Sequence, residues 1–207
     1  MRVGKDGMPE ILSPKGASRT ELKKIALANY SKLKEYSENF QKREAEHKSL
    51  ELKIGSELLF FGKNIKITAR DTAGYDMAHF YIPNCLEGEN LKYAVIEIYK
   101  SAARDYLNLR VPEIADKMGL IPSAVKVNSA KTHWASCSAR GNLNFSWYLM
   151  MAEPSAIDYV IIHELCHMKE FNHSPKFWQM VSRYCPDYAD KKMYLKELFK
   201  KEIGAFI

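Results

Sequence analysis

The chain has 207 residues, of which 46% are hydrophobic and 27% charged, a composition typical of a globular protein with one substantial core. This balance excludes an intrinsically disordered chain, and no stretch approaches the ~18 apolar residues that a membrane-spanning helix needs. The net charge of +6 is a modest surplus, which permits an acidic partner without demonstrating one.

The first residues and the cysteines indicate a cellular compartment. Residues 1–14 are polar and interrupted by glycine and proline, so they lack the apolar block of a secretory signal. The four cysteines contain no C-x-x-C pair, and their spacing suggests neither a zinc ribbon nor a disulfide framework. We therefore expect a reduced, cytoplasmic protein that does not associate with membranes.

An amphipathic helix is predicted near the amino terminus. It begins at Ser18, because Ser18 to Glu21 fit a capping box, and apolar residues then recur every three or four positions to about Leu50. This pattern divides the chain into an amino-terminal leader and helix over residues 1–54 and a second domain over residues 55–207.

The next segments change from strand to helix spacing. Apolar residues alternate with other residues between positions 55 and 83, which predicts a small antiparallel sheet. Spacings of three and four then predict a helix from Glu89 to about Leu107. A separate short helix is predicted from Val111 to Met118, ending at Gly119.

Two further strands are predicted before a helical carboxy-terminal part. Residues 125–127 and residues 142–148 show strand alternation, and residues 139–141 are predicted to form the turn between these two strands. After Pro154 the helical spacing continues to the end of the chain, with two interruptions. The predicted fold class is α+β, with a hairpin packed against the carboxy-terminal helices.

The motif that carries chemistry is His163-Glu164-Leu165-Cys166-His167, an H-E-x-x-H pattern in a helical segment. His163 and His167 lie one turn apart on the same helix face, so both can bind one metal ion. Glu164 lies beside that ion, where it can take a proton from a bound water. The alternative is a solvated helix face. The apolar run over residues 159–162 argues against it, because buried titratable groups need partners.

A third metal ligand is predicted at His173, six residues after His167. In an unbroken helix six residues rotate the side chain by about 240°, so the chain must turn before His173. Asn172 can end the helix in the left-handed conformation, and Ser174-Pro175 resembles the start of the next helix. The alternative is a histidine that bonds the backbone at a helix junction. Three protein ligands plus a water are the usual catalytic zinc arrangement, which favours the ligand.

Five short segments of the sequence show a known pattern. They are Lys131–Ser138, Gly141–Asn144, Ile157–Val160, His163–His167 and Asn172–Trp178. Together they resemble the YgjP-like metallopeptidase family of metal-dependent hydrolases, which is related to the SprT-like and WLM zinc peptidases. The resemblance covers about residues 55–202 and implies a minimal zincin-like fold with zinc on the three histidines. That family usually has Arg-Trp-Gly where this chain has His133-Trp134-Ala135.

Three other features of the sequence each allow two roles. Cys166 points about 60° away from His163 around the helix, which favours a small buried hydrophobe over a metal ligand. His133 either lines the cleft and stabilises an oxyanion or is an ordinary residue at a strand end. The lysines of the last helix form either a solvated face or a phosphate-binding strip.

These features predict a zinc-dependent hydrolase, most simply a metallopeptidase that cleaves peptide bonds with a Glu164-activated, zinc-bound water. The expected partner is a peptide or protein substrate, which could add to the edge of the strand over residues 142–148. Nucleic-acid binding is expected to be weak and non-specific. The alternatives are a non-peptide amide hydrolase and a nucleic-acid-associated protein with a DNA-guided peptidase or a structural zinc site.

Overall fold

The computed structural model describes residues 52–203 and, before them, residues 2–3, 9–10, 18, 20, 24 and 28–29. The chain divides into two compact units, one of residues 1–51 and 204–207 and one of residues 52–203. In the first unit, β1 (Arg2–Val3) pairs with the antiparallel β2 (Pro9–Glu10). Positions 20, 24 and 28 are helical, but most of the predicted helix from Ser18 to Leu50 lies outside the described residues.

The first sheet of the 52–203 unit has the strand order β3-β4-β6-β5. Its strands are β3 (Glu57–Phe60), β4 (Lys63–Ala69), β5 (Gly74–Tyr75) and β6 (His79–Ile82). β4 and β6 are parallel, so the prediction of an antiparallel sheet is wrong for this pair. The chain passes from β4 to the far edge for β5 and returns through a tight turn, in which the Asp76 carboxylate accepts the backbone N–H groups of Ala78 and His79. β6 therefore lies between β5 and β4 and runs parallel to β4.

A single helix of 30 residues, α1 (Gly88–Lys117), replaces the two predicted helices. The predicted break is wrong even though Pro112 lies inside the helix and removes a backbone donor. Val111 and Ile114 on either side of this exposed proline are buried, and their burial outweighs the lost hydrogen bond. The predicted end is confirmed, because Gly119 follows the helix with a φ of 63°.

The second sheet has the order β7-β9-β8, with β7 (Ala124–Asn128), β8 (Ala135–Cys137) and β9 (Asn142–Ser146). β7 and β9 are parallel, so the predicted hairpin between them is wrong. The turn at residues 139–141 joins β8 to β9 instead. The alternation of apolar and polar residues that predicted β7 and β9 does not indicate which strands pair with each other. β8 is too short to show such an alternation. Because β9 is the central strand, it has no free edge for a substrate, whereas β8 is an edge strand.

Helices form the rest of the unit. They are a 3-10 helix (Trp147–Met151), α2 (Pro154–His167), α3 (Pro175–Tyr184), α4 (Tyr188–Leu198) and a π-helical turn (Phe199–Ile203). The helical part after Pro154 is as predicted, but the strand predicted over residues 142–148 is wrong at its end, because residues 147 and 148 begin the 3-10 helix. α2 packs against α1, β8, α3 and α4, so it lies at the centre of the α+β unit. No helix of the described part is long and apolar enough to cross a bilayer.

Candidate metal centre

The first two histidines of the centre lie on α2, whose other faces are buried. Pro154 occupies the first turn of this helix, and Ile157 and Ile161 are fully buried. His163 and His167 lie one turn apart with ring centroids separated by 4.9 Å. The buried apolar face of α2 therefore holds both imidazoles in place.

A bend after α2 brings in the third histidine. The helix ends at His167, and the side chain of Asn172 accepts the backbone N–H of Ser174 at 3.2 Å. The Ser174 hydroxyl then caps α3 by accepting the N–H of Phe177 at 3.3 Å. The predicted stop and restart are confirmed. The predicted left-handed Asn172 is wrong, because Phe61 is the sole non-glycine residue with positive φ in the described part. Asn172 acts through its side chain instead.

The three imidazoles converge on one point. One ring nitrogen from each of His163, His167 and His173 lies within 4.8 Å of the others. The Nε2 atoms of His163 and His173 are 3.0 Å apart. The fully buried ring of Phe177 lies next to all three, with centroid distances of 4.9, 4.5 and 4.8 Å in that order. α3 thus supplies an aromatic support for the cluster.

The hydrogen bonds and charges of the cluster favour imidazoles that can bind a cation. His167 Nδ1 lies 3.0 Å from the carbonyl oxygen of Glu170, which can only accept, so the lone pair of this ring is on Nε2. Burial, followed by the charges of His167 and His173, lowers the pKa of His163 to about 3. Burial also lowers the pKa of His173. The rings of His163 and His173 are therefore mainly neutral near neutral pH.

Glu164 is the one buried carboxylate of the described residues. Its side chain is 6% exposed, and its Oε2 atom has no hydrogen-bond partner in the described part. Burial raises the pKa of Glu164 to about 7. An unpaired buried carboxyl costs stability, so its presence next to His163 indicates a use other than folding.

A cavity of about 380 Å³ borders the cluster, with His163 and Glu164 in its wall. The segment before β8 and the first residue of β8 supply Thr132, His133, Trp134 and Ala135. α2 adds Tyr159 and Val160, and the other lining residues are Lys192, Leu195, Lys196, Phe199 and Lys200. The exposed His133 lies at this cavity with its Nδ1 atom 3.0 Å from the Thr132 hydroxyl. Substrate-sized space therefore lies directly beside the candidate base.

Cys166 lies within the motif but outside the three-histidine cluster. Its side chain is fully buried, and burial raises the pKa of the thiol to about 12. A protonated thiol is a poor metal ligand, because metals bind the thiolate. The structure therefore places Cys166 in the core of the helix interface.

An ion pair that anchors α2 was missed in the sequence. Arg110 on α1 donates to both carboxylate oxygens of Asp158 on α2, at 2.8 Å from Nε and 2.6 Å from Nη2. Arg110 also contacts Glu113 at 2.6 Å. Arg110 and Asp158 are 48 positions apart, so no local spacing relates them. The bidentate geometry fixes the part of α2 that precedes the histidines.

Comparisons with known proteins identify the family. No curated protein matches the chain. The zymogen of the metallopeptidase abylysin from Pyrococcus abyssi is 22% identical over 44% of this chain and 95% of its own, with a TM-score of 0.38. The zymogen of jannalysin from Methanocaldococcus jannaschii is 25% identical over 45% of this chain and 95% of its own, with a TM-score of 0.39. A family model described as "YgjP-like, metallopeptidase domain" matches residues 1–198. The chain therefore belongs to the YgjP-like family and carries its metallopeptidase domain.

Proposed function

We propose that this metallopeptidase domain is a zinc peptidase in which His163, His167 and His173 hold the metal and Glu164 is the general base. The observation that carries the proposal is the convergence of three imidazoles beside one buried, unpaired carboxyl. The rest of the unit, residues 52–203, supplies the scaffold for this centre.

The donor set fits zinc. Three imidazole nitrogens are the ligands of many catalytic zinc sites, and they leave a fourth position open. The separations of the ring nitrogens, all within 4.8 Å, allow one ion to contact all three at the usual ~2.0–2.1 Å. Imidazole also suits copper, iron and nickel, so the identity of the metal is part of the proposal.

The chemistry divides between the metal and the side chains of this chain. When bound, zinc supplies a Lewis acid that activates a water and polarises the carbonyl of the scissile bond. The unpaired Oε2 of Glu164 accepts the proton of the attacking water and returns it to the leaving amine. Val160 and Leu195 form an apolar part of the cavity wall near this carboxylate.

The free edge of β8 is the proposed place for the substrate backbone. β8 contacts α2, and its outer side carries no strand of the described sheet. An extended peptide added there would form main-chain hydrogen bonds beside the motif helix. This proposal replaces the expectation for residues 142–148, whose strand β9 is paired on both sides.

The test compares zinc-loaded wild type with Glu164→Gln on a complex peptide mixture, with cleavage sites read by mass spectrometry. The variant should keep its zinc and its circular dichroism while hydrolysis falls by roughly 10² or more, the scale of a general-base contribution. Glu57→Gln, which changes an exposed carboxylate on β3, is the matched control and should keep full activity. Full activity of Glu164→Gln on a zinc-requiring substrate would remove Glu164 as the base. Absence of any cleaved peptide with wild type would overturn the peptidase proposal.

A further inference from the structure

A row of lysines forms one wall of the cavity beside the metal centre. Lys192, Lys196 and Lys200 are spaced by four residues along α4 and the π-helical turn, and all three line the cavity together with His163 and Glu164. Side chains at this spacing lie on the same face of a helix. The row therefore faces the same space as the candidate base.

The positive charge of this row is only partly neutralised. Glu164 is the sole carboxylate among the cavity residues. The Lys192 ammonium lies 4.7 Å from the ring centroid of Trp178, and Lys200 contacts Glu197 at 2.8 Å. Lys196 forms no ion pair with any residue in the described part. An anion in the cavity would therefore meet the ammonium groups of Lys192 and Lys196, which have no carboxylate partner in the described part.

Lys191, the neighbour of Lys192 in sequence, shows the opposite arrangement. Its ammonium contacts Glu153 at 3.0 Å and Asp187 at 3.7 Å, and it does not line the cavity. On α4, Lys191 is thus held by two carboxylates, whereas Lys192 and Lys196 line the cavity and form no ion pair with any described residue. A uniformly solvated lysine face would not show this division.

Much of the remaining wall of the cavity is apolar. Val160 and Leu195 also line the cavity, and the rings of Trp134 and Phe199 meet edge to face at 5.3 Å. A cavity of about 380 Å³ is near the lower end of the ~300–1,000 Å³ range of small-ligand sites. An occupant must therefore be small, present an apolar group to the wall and carry a negative charge near it.

We propose that this cavity binds a carboxylate-bearing part of the peptide substrate, with an apolar side chain next to it. The carboxylate comes either from an acidic side chain or from the end of the chain, since the ammonium groups bind both alike. A nucleic-acid backbone fits less well, because a run of phosphates needs a long basic groove and this cavity is short and half apolar. The inference rests on the proposed peptidase function where it takes the ligand to be a substrate whose peptide bond is cut. Binding of the ligand to the cavity does not depend on that function.

The test measures peptide binding to zinc-loaded Glu164→Gln by fluorescence anisotropy. Three labelled peptides share one sequence with a central phenylalanine. One is neutral with an amidated end, one has a glutamate beside the phenylalanine, and one ends in a free carboxylate after it. We expect roughly tenfold tighter binding of at least one carboxylate peptide than of the neutral peptide, and a decrease of this difference as salt rises. The peptide that gains affinity identifies the source of the carboxylate.

Charge reversal in the row tests the assignment to these lysines. Lys196→Glu, added to the Glu164→Gln background, should remove the preference and favour a peptide with lysine in place of the glutamate. Lys201→Glu is the matched control, because Lys201 lies on the π-helical turn that directly follows α4, is 83% exposed and lies outside the cavity. It makes the same charge change and should keep the preference.

Equal binding of all three peptides would overturn the inference, and so would an unchanged preference in Lys196→Glu. Displacement of the acidic peptide by a single-stranded oligonucleotide, at equal concentration and physiological salt, would also overturn it. The last result would assign the row to phosphate. The anisotropy measurement reports peptide binding and does not require that the peptide is cleaved. A wild type that cleaves no peptide would therefore overturn the peptidase proposal separately from this one.

Discussion

At the residue scale, the third ligand depends on a few local hydrogen bonds. His173 would face away from His163 and His167 if α2 continued, since six residues rotate a side chain by about 240°. The end of α2 at His167, the Asn172 side chain and the Ser174 cap together turn the chain back. The i, i+4 spacing predicted two of the converging histidines, and the capping residues predicted the third. The unpaired Oε2 of Glu164 could not be predicted, because it depends on what α2 packs against.

The residue-scale prediction concerns metal affinity. His173→Ala should weaken zinc binding by at least ~100-fold, because loss of a direct ligand exceeds the ~10–100-fold effect of outer partners. Cys166→Ala should leave zinc affinity nearly unchanged, since the buried thiol lies outside the cluster. Competition with a chromophoric chelator measures both constants. A large loss of affinity in Cys166→Ala, with little loss in His173→Ala, would mean that the thiol replaces His173 as the ligand.

At the element scale, the presence of helices was predicted better than the pairing of strands. Helical spacing recurs many times within α2 and α4, so the pattern is detectable in one sequence. β5 and β8 have two and three residues, which is too few to show strand alternation. The parallel pairs β4–β6 and β7–β9 depend on where the chain reverses direction, which no local sequence pattern indicates. Burial also overrides local preference, as at Pro112 within α1.

The element-scale prediction concerns the anchor of α2. Arg110→Lys keeps the charge but loses the bidentate contact with Asp158, so the free energy of unfolding should fall by about 1 kcal/mol. This loss is smaller than the ~1.5–3 kcal/mol of a charged hydrogen bond because the two side chains are 32% and 25% exposed and solvent screens the pair. Urea unfolding measures the change. Arg104→Lys, at an exposed position of α1, is the matched control and should change stability by less than about 0.5 kcal/mol. An equal effect of both variants would contradict a special role of the Arg110–Asp158 pair.

At the scale of the whole molecule, the 52–203 unit forms its own core, and the candidate centre is built on that core. The large buried side chains of this unit include Trp147, Tyr99 and Phe145, which lie outside the centre. Phe177 is buried beneath the imidazoles as part of α3. The histidines are therefore positioned by packing and capping. Small zinc-folded domains differ in this respect, because they are unfolded without metal.

This difference leads to a prediction for metal removal. Protein stripped of metal by a chelator should keep its far-ultraviolet circular dichroism and unfold cooperatively, but at a lower temperature. Addition of free zinc to about 100 times its dissociation constant should raise the free energy of unfolding by about 2.7 kcal/mol, because zinc then binds the folded state alone. Glu164→Gln should show the same rise, since Glu164 lies beside the ligands and is not one of them. In His173→Ala the rise should be largely lost at the same zinc concentration. Collapse of the helical signal on chelation would show that the metal, and not the core, holds α2 and α3 together.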